Sequence, residues 1–146
     1  MHSIKPIIKK QTSVYSIEKS ATITRAAVEM ADHNIGSLVV TDGNQVVGII
    51  TERDCLKRVL AARLDPEKVR VADVMTSPVA VCRPDTSIEE CIAVITEKRI
   101  RHLPVVDNGK LVGIVTSGDI LAQQMETHEE TIEYLNQYIY GPFHKM

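Results

Sequence analysis

Hydrophobic and polar positions follow the same pattern in both halves of the chain. Apolar residues recur at helical spacing over residues 23–31 and again over residues 88–95, which predicts two amphipathic helices. Each is followed by two runs rich in β-branched residues with a turn of Asp, Gly and Asn between them, the pattern of a β-hairpin. The predicted hairpin strands are residues 37–40 with 46–50, and residues 103–106 with 111–115.

A direct internal match accounts for this repetition. When Val14 is placed on Val79, the first half falls on the second half without a gap as far as Leu56 on Leu121. We call the positions that this match superposes equivalent. Each copy opens with a short strand, expected at residues 13–17 and 79–82, and closes with a helix. Each copy is therefore a unit of β-α-β-β-α order, and the predicted fold class is α/β (α+β).

The repeat divides the chain into five parts. These are an N-terminal segment (1–12), a first repeat (13–62), a linker (63–77), a second repeat (78–125) and a C-terminal helix and tail (126–146). Thr127 and Glu130 form a candidate capping box, so helical segments are expected to flank the repeats. Because one such unit is small for independent stability, we expect the two units to pack together across a pseudo-twofold axis.

Two short motifs carry a resemblance to a known family. Residues 48–56 (Gly-Ile-Ile-Thr-Glu-Arg-Asp-Cys-Leu) and residues 113–121 (Gly-Ile-Val-Thr-Ser-Gly-Asp-Ile-Leu) resemble the signature of CBS domains. That signature is Gly, two apolar residues, Ser or Thr, two variable residues, Asp and an apolar residue. Residues 73–76 and 100–107 resemble two further elements of the family. The chain is therefore identified as a stand-alone tandem CBS pair, or Bateman module.

The resemblance implies a regulatory protein and not an enzyme. CBS pairs commonly associate into flat dimers, and the clefts between their repeats bind AMP, ADP, ATP, S-adenosylmethionine or, in some members, NAD. The usual role of the family is to sense energy or metabolite state for a partner. We therefore expect a homodimer that binds an adenosine-containing ligand, uses no catalytic cofactor and acts in trans on an unidentified protein partner.

The resemblance also implies which residues bind the ligand. One carboxylate can accept hydrogen bonds from both hydroxyls of a ribose, the threonine hydroxyl can donate and accept, and apolar residues of the opening strand supply a slot for adenine. The cleft expected to bind more strongly contains Thr51, Arg53, Asp54, Val79, Ala80, Arg101 and His102. The cleft expected to bind more weakly contains Val14, Tyr15, Gly36, Ser37, Thr116, Gly118 and Asp119.

Cationic residues are the reason for expecting two unequal clefts. Phosphates require positive charge or helix N-termini. Arg101 has Gly36 as its equivalent, and Arg53 has Gly118. We therefore expect the cleft with Arg101 to prefer phosphate-rich ligands and the other cleft to accept a neutral adenosine moiety.

Simpler interpretations of the same residues remain open at this point. Asp54 and Asp119 are also suited to the N-terminus of any helix, where they favour the macrodipole, and Arg101 and His102 are also suited to an exposed connection between helix and strand. The main alternative function is a dimerisation or scaffold module that binds no ligand. RNA binding is a third option, and the net charge of -2 disfavours it.

Composition and motifs exclude other classes of function. Few aromatic residues (3%) and a net charge of -2 are atypical of DNA-binding proteins. The sequence has no P-loop, nucleophile elbow, GxGxxG or metal-ligand spacing, and no apolar run approaches the ~18 residues that a membrane span requires. We expect no metal, no membrane, a cytoplasmic location, and three cysteines (Cys55, Cys82 and Cys91) that serve as small core residues.

Overall fold

The computed structural model of the protein describes residues 2–11 and 14–126. In chain order the elements are α1 (Lys5–Lys9), β1 (Ser16–Glu18), α2 (Ile23–His33), β2 (Ser37–Asp42), β3 (Gln45–Thr51), α3 (Glu52–Cys55), α4 (Val71–Val74), α5 (Ile88–Lys98), β4 (His102–Asp107), β5 (Lys110–Thr116) and α6 (Ser117–Glu126). Helix α3 continues as a π-helical segment, Leu56–Leu60. The predicted α/β architecture with two repeated units is confirmed. The predicted tail helix with Thr127 and Glu130 lies outside the described residues.

The first repeat contains a three-stranded sheet in the order β1-β2-β3, with β1 parallel and β3 antiparallel to β2. Helix α2 begins after Thr22, whose hydroxyl accepts a hydrogen bond from the Arg25 amide at 3.2 Å and so satisfies a donor of the first turn. The helix ends at Asn34, whose φ of 53° is a left-handed conformation that asparagine tolerates.

The second repeat keeps the antiparallel hairpin, β4 with β5, but its opening strand is much shorter than in the first repeat. The strand predicted at residues 79–82 is reduced to one parallel bridge at Cys82. In the first repeat the Val39 amide donates to the Tyr15 carbonyl at 3.4 Å. The equivalent of Val39 is Pro104, which has no N–H to donate, so the parallel pairing cannot extend in the same way.

Each hairpin is covered by a segment that comes before or after it in the chain. The linker lies on the first repeat, where the main chain of Thr76 pairs with Ile49 in both directions at 2.8 and 3.0 Å. The N-terminal segment lies on the second repeat, where the side-chain amide of Gln11 bonds both the N–H and the C=O of Ile114. Ile4 is fully buried there. A segment that the sequence analysis set outside the repeats therefore forms part of the second core.

Two hydrophobic clusters lie one in each repeat. The first contains Ile17, Ile23, Ala26, Met30, Leu38, Val40, Ile50, Val59, Val71 and Val74. The second contains Ile4, Ile7, Cys82, Ile88, Cys91, Leu103, Val105, Val115 and Ile120. Strands β3 and β5 contact each other between the clusters, so the starts of α3 and α6, which follow these strands directly, face the boundary between the repeats.

Candidate functional site

A cavity of about 920 Å³ opens between the two repeats. One wall comes from the end of β3 and the start of α3, and the opposite wall comes from the end of α5 and the start of β4. Residues 78–80, which follow the linker, and Thr76 at the end of the linker also line it. Both repeats and the linker are therefore required to build the site.

A capping box holds an aspartate on the first wall. The Thr51 amide donates to the Asp54 carboxylate at 3.1 Å, and the Asp54 amide donates to the Thr51 hydroxyl at 3.1 Å. This reciprocal pairing satisfies two donors at the start of α3 and orients the carboxylate. Asp54 is 8% exposed, so its carboxylate is a largely desolvated acceptor at the edge of the cavity.

The linker also contacts this carboxylate. The Thr76 hydroxyl lies 3.3 Å from each Asp54 oxygen and donates to the carboxylate. Arg58 lies 3.9 Å from Asp54 Oδ1 and donates to the carbonyls of Val74 and Met75 at 3.0 and 3.2 Å. The aspartate is thus joined to the end of the linker through a hydroxyl and a guanidinium group.

The opposite wall is rich in cationic side chains. Lys98, Arg99, Arg101 and His102 line the cavity on this side, and Arg53 adds a fourth permanent cation from α3. Apolar side chains between the walls come from residues 78–80 and from two isoleucines, Ile49 and Ile100. An acceptor for hydroxyl groups, an apolar strip and a cationic wall thus share one cavity.

His102 has an environment that disfavours its charged form. Burial lowers the pKa of His102 and the neighbouring Arg101 lowers it further, whereas Asp119 and Glu52 act in the opposite direction without restoring it. The imidazole therefore contributes a neutral donor or acceptor to the wall at neutral pH, and the permanent positive charge comes from the lysine and arginine side chains.

The seven residues predicted for the stronger cleft all line this one cavity: Thr51, Arg53, Asp54, Val79, Ala80, Arg101 and His102. From the weaker set, Gly36 and Thr116 line the same cavity, whereas Val14, Tyr15, Ser37, Gly118 and Asp119 are not part of its lining. The Tyr15 ring stacks on His33 with centroids 3.9 Å apart. The role of both sets in ligand binding stays a prediction.

The second copy of the aspartate has the same capping box but a different neighbour. The Thr116 amide donates to Asp119 at 3.0 Å, and the Asp119 amide donates to the Thr116 hydroxyl at 3.0 Å. The residue that lies 65 positions before Thr76, the same offset as in the repeat, is Gln11. Its side-chain amide is bonded to the main chain of Ile114. Thr76 therefore pairs with Ile49 through its main chain and keeps its hydroxyl for Asp54. In the second copy the side chain of Gln11 itself makes the pairing.

The cavity residues that sequence reasoning missed include Lys98, Arg99 and Thr76. Lys98 and Arg99 form a basic pair at the end of α5, which is typical of any helix C-terminus. The sequence therefore gives no sign that they have another role. Thr76 belongs to the family-like element at residues 73–76, and this resemblance is the signal in the sequence that points to its place in the site.

The cysteines are free and lie mainly in the interior. Cys82 and Cys91 are buried in the second cluster, and Cys55 is partly buried beside the first. A hydrogen bond with Cys91 and burial raise the pKa of the Cys82 thiol, which keeps it protonated. Among residues 2–11 and 14–126 no group of three or more His, Cys, Asp or Glu side chains is arranged to hold a metal ion. No helix in those ranges is both long and apolar enough to span a membrane.

Comparison with known proteins places the chain in a family. The CBS domain family matches twice, over residues 5–61 and 71–126, and the chain belongs to this family. It is 34% identical over 127 residues to CBS domain-containing protein CBSX3, mitochondrial, of Arabidopsis thaliana, a match that covers 84% of this chain and 62% of that protein. The chain therefore spans less than two thirds of the length of this relative.

Solved structures give the same result for the fold. A protein with CBS domains from Burkholderia ambifaria superposes with a TM-score of 0.80 at 35% identity, covering 86% of this chain and 96% of that one. CBSX2 in complex with AMP superposes with a TM-score of 0.73 at 24% identity, covering 87% and 98% of the two chains. The second likeness concerns the fold alone.

Proposed function

We propose that the protein is a regulatory module that binds an adenine nucleotide in the inter-repeat cavity and acts on a separate protein partner, without catalysing a reaction itself. The candidate ligands are AMP, ADP, ATP and NAD. The observation that carries the proposal is the buried Asp54 carboxylate, which the capping box with Thr51 holds at the cavity opposite a wall of cationic side chains.

The ribose is the part of the ligand that this carboxylate suits. Two vicinal hydroxyls can donate to the two oxygens of Asp54, and hydrogen bonds to a charged acceptor are stronger than neutral ones. The Thr76 hydroxyl lies 3.3 Å from both of these oxygens. A bound ribose would take over part of this contact, and it would thereby connect ligand binding to the end of the linker.

The other parts of the cavity suit the base and the phosphates. The apolar strip that includes Val79 and Ala80 can bury an adenine ring, since small-ligand pockets combine apolar surface with a few polar groups. Arg53 and Arg101 can pair with phosphate oxygens in bidentate fashion. A protein of the same fold has been solved with AMP bound, which supports the view that this fold accommodates an adenine nucleotide.

We expect the Asp119 side of the boundary to bind more weakly. It has the same capping box, but Gly36 and Gly118 stand at the positions equivalent to Arg101 and Arg53 of the Asp54 side. A site with a ribose acceptor and no equivalent cations would favour a neutral adenosine moiety, because nothing offsets the desolvation of phosphate charges.

Calorimetric titration of the purified protein with AMP, ADP, ATP and NAD tests the proposal. Saturable binding of at least one ligand is expected, with an affinity that Asp54→Ala lowers by about tenfold or more, the loss typical of a hydrogen bond to a charged group. The matched variant Asp119→Ala should have the smaller effect. Absence of binding by every ligand, in calorimetry and in thermal shift, would favour the scaffold function.

A homodimer is the second part of the proposal. Leu56 and Leu60 of the π-helical segment are 58% and 62% exposed, and Leu121, the equivalent of Leu56, is 54% exposed. Leucines on the second helix of each repeat form an apolar surface of the kind that marks protein interfaces, and we propose a second copy of this chain as its occupant. Light scattering that finds only a 16.2 kDa species at micromolar concentration would overturn this.

The same exposed leucines support the alternative function, that of a scaffold module. If they bind a different protein, the chain is a ligand-free scaffold module, and the titration above separates the two cases. The unidentified partner is expected to be a protein and not DNA, given the net charge of -2. The free, mostly buried cysteines support a reducing compartment such as the cytoplasm, which fractionation of cells would test.

A further inference from the structure

The ends of helices α2 and α5 are equivalent in backbone but not in side chain. Helix α2 ends at Asn34 with φ 53° and ψ 47°, and α5 ends at Arg99 with φ 55° and ψ 43°. Residues other than glycine rarely adopt this left-handed conformation, and asparagine is among the few that do so routinely. Arginine at this position therefore costs stability that Asn34 does not cost.

Arg99 is part of the cavity wall, and Asn34 is not part of it. Lys98 and Arg99 both line the cavity. The residue equivalent to Lys98 is His33, whose ring stacks on Tyr15 and whose Nε2 lies 3.3 Å from Glu29. Only the second repeat presents a pair of cations from this helix end to the cavity, so the strained arginine coincides with a candidate binding surface.

The number of cations exceeds what one phosphate group requires. Four permanent cations line the cavity, Arg53, Lys98, Arg99 and Arg101, against the carboxylates of Glu52 and Asp54. Asp54 is already engaged by Thr51 and Thr76. A monophosphate dianion can be neutralised by Arg53 and Arg101, and the pair at the end of α5 then remains available for further phosphate groups.

We propose that Lys98 and Arg99 bind the outer phosphates of a nucleoside polyphosphate, so that the cavity selects di- and triphosphates over monophosphates. Arg99 is a specificity-determining residue whose strained conformation lowers stability in return for that selectivity, a trade-off common at functional positions. This inference rests on the proposed nucleotide-binding function and adds the ligand class and the residues that choose it.

The substitution Arg99→Asn is the central test because it copies the residue found at the end of α2. Calorimetry with AMP, ADP and ATP at one ionic strength is expected to give tighter binding with each added phosphate. In Arg99→Asn the ratio of ATP to AMP affinity should fall by about tenfold, the loss expected for a charged hydrogen bond. Because asparagine suits the left-handed conformation, the melting temperature of the variant should stay the same or rise.

A matched control lies elsewhere in the chain. Arg63 also has a positive φ, 60°, but does not line the cavity. Arg63→Asn should leave all nucleotide affinities unchanged and shift the melting temperature in the same direction as Arg99→Asn. Lys98→Ala, within the helix, should lower the same ATP-to-AMP ratio without requiring any change of backbone, so the test does not depend on one variant.

The outcomes separate this inference from the proposed function. The role of Lys98 and Arg99 in selectivity is overturned if the wild type binds AMP and ATP equally. It is also overturned if Arg99→Asn and Lys98→Ala both leave the ratio of ATP to AMP affinity unchanged. In either case the proposal of nucleotide binding is unaffected. If Arg99→Asn weakens AMP and ATP to the same extent, Arg99 contacts a shared part of the ligand and the assignment to outer phosphates is overturned. If the wild type binds no nucleotide, the proposed function and this inference fail together.

Discussion

The two repeats build the same capping box and the same hairpin, yet they cover the hairpin edge by different means. In the first repeat the main chain of Thr76 pairs with Ile49. In the second, the side chain of Gln11 pairs with Ile114. Because Thr76 pairs through its main chain, its side chain is available for another contact, and its hydroxyl donates to the Asp54 carboxylate. A side chain that replaces this main-chain pairing has no such second role.

The two halves of the cavity also differ in the charge that each repeat contributes. The first repeat supplies the buried carboxylate of Asp54, and the second supplies the cationic wall with Arg99 and Arg101. Equivalent positions on the other side, Asn34 and Gly36, carry no charge. Duplication thus preserved the residues that fold each unit, while the residues at the boundary diverged and produced one charged cavity from two different halves.

The largest expected effect concerns the glycines that lie under the two covering segments. A Cβ built at Gly48 would lie 2.8 Å from the Thr76 carbonyl oxygen and 2.7 Å from Met75 Sδ. A backbone carbonyl that is itself paired with Ile49 cannot move cheaply. Gly48→Ala should therefore lower the free energy of unfolding by about 1–3 kcal/mol, the usual cost of overpacking, as measured by urea denaturation.

Gly113→Ala is the matched variant in the second repeat. Its Cβ would lie 2.6 Å from Ile8 Cδ1, the end of a side chain that can rotate away. It would lie 3.0 Å from Gln11 Oε1, so the Gln11 side chain needs only a small shift that keeps its bonds to Ile114. We expect a loss below about 1 kcal/mol, as for tolerated core changes. Equal losses for the two glycines would contradict the distinction between main-chain and side-chain cover.

A smaller loss in the free energy of unfolding is expected when the side-chain contacts of Gln11 and Thr76 are removed one at a time. Gln11→Ala deletes both hydrogen bonds to Ile114 and should cost about 1–2 kcal/mol, at roughly 1 kcal/mol for each bond. Thr76→Ala leaves the main-chain pairing with Ile49 intact. Hydrogen exchange should therefore accelerate at the Ile114 amide in Gln11→Ala and stay slow at the Ile49 amide in Thr76→Ala.

Either of two results would argue against this view of the edges. Slow exchange at Ile114 in Gln11→Ala would mean that another group protects that amide. Fast exchange at Ile49 in Thr76→Ala would mean that the hydroxyl of Thr76, and not its main chain, holds the linker on the first repeat.

The smallest expected effect is a pH dependence of stability that arises from His102. The first repeat has Ser37 at the equivalent position and cannot contribute the same dependence. Burial and Arg101 lower the pKa of His102 below its ordinary value of 6.5, against the opposing charges of Asp119 and Glu52. The unfolded chain therefore takes up a proton here at a higher pH than the folded protein does. The stability contributed by the neutral imidazole is complete above about pH 6.5 and is lost as the pH falls toward the lowered pKa.

The variant His102→Ser copies the first repeat and removes this dependence. Unfolding midpoints of the wild type and the variant should converge, or cross in favour of the variant, as the pH is lowered from 7.5 to 5.5. A difference between them that stays constant over this range would show that the protonation of His102 is not linked to folding.

Local features of the fold could be predicted from the sequence with good accuracy. The helix predicted over residues 23–31 is Ile23–His33, and the one predicted over 88–95 is Ile88–Lys98. The sequence offers Thr22 as one N-cap and Asp85 or Ser87 as the other, and in the structure Thr22 and Ser87 are the caps. These features depend on residues within a few positions of each other, so hydrophobic periodicity and capping chemistry were enough to find them.

The cavity could be predicted only in part. The internal match and the family motifs identified seven residues that line one cavity, including Asp54 and Arg101. They did not identify Lys98 and Arg99, because a basic helix end is also typical of an ordinary C-terminus. They also divided the lining between two clefts, whereas Gly36 and Thr116 lie on the same cavity as Asp54.

The duplicated α/β unit and the two aspartates at helix N-termini could be recognised in the sequence, since an internal repeat and short-range patterns are properties of the chain alone. Three further features depend on the packed structure: the N-terminal segment completes the second core, Thr76 contacts Asp54, and the end of α5 lines the same cavity as the start of α3. These contacts join residues far apart in the chain. Their formation depends on how whole elements pack, which no local pattern of residues records.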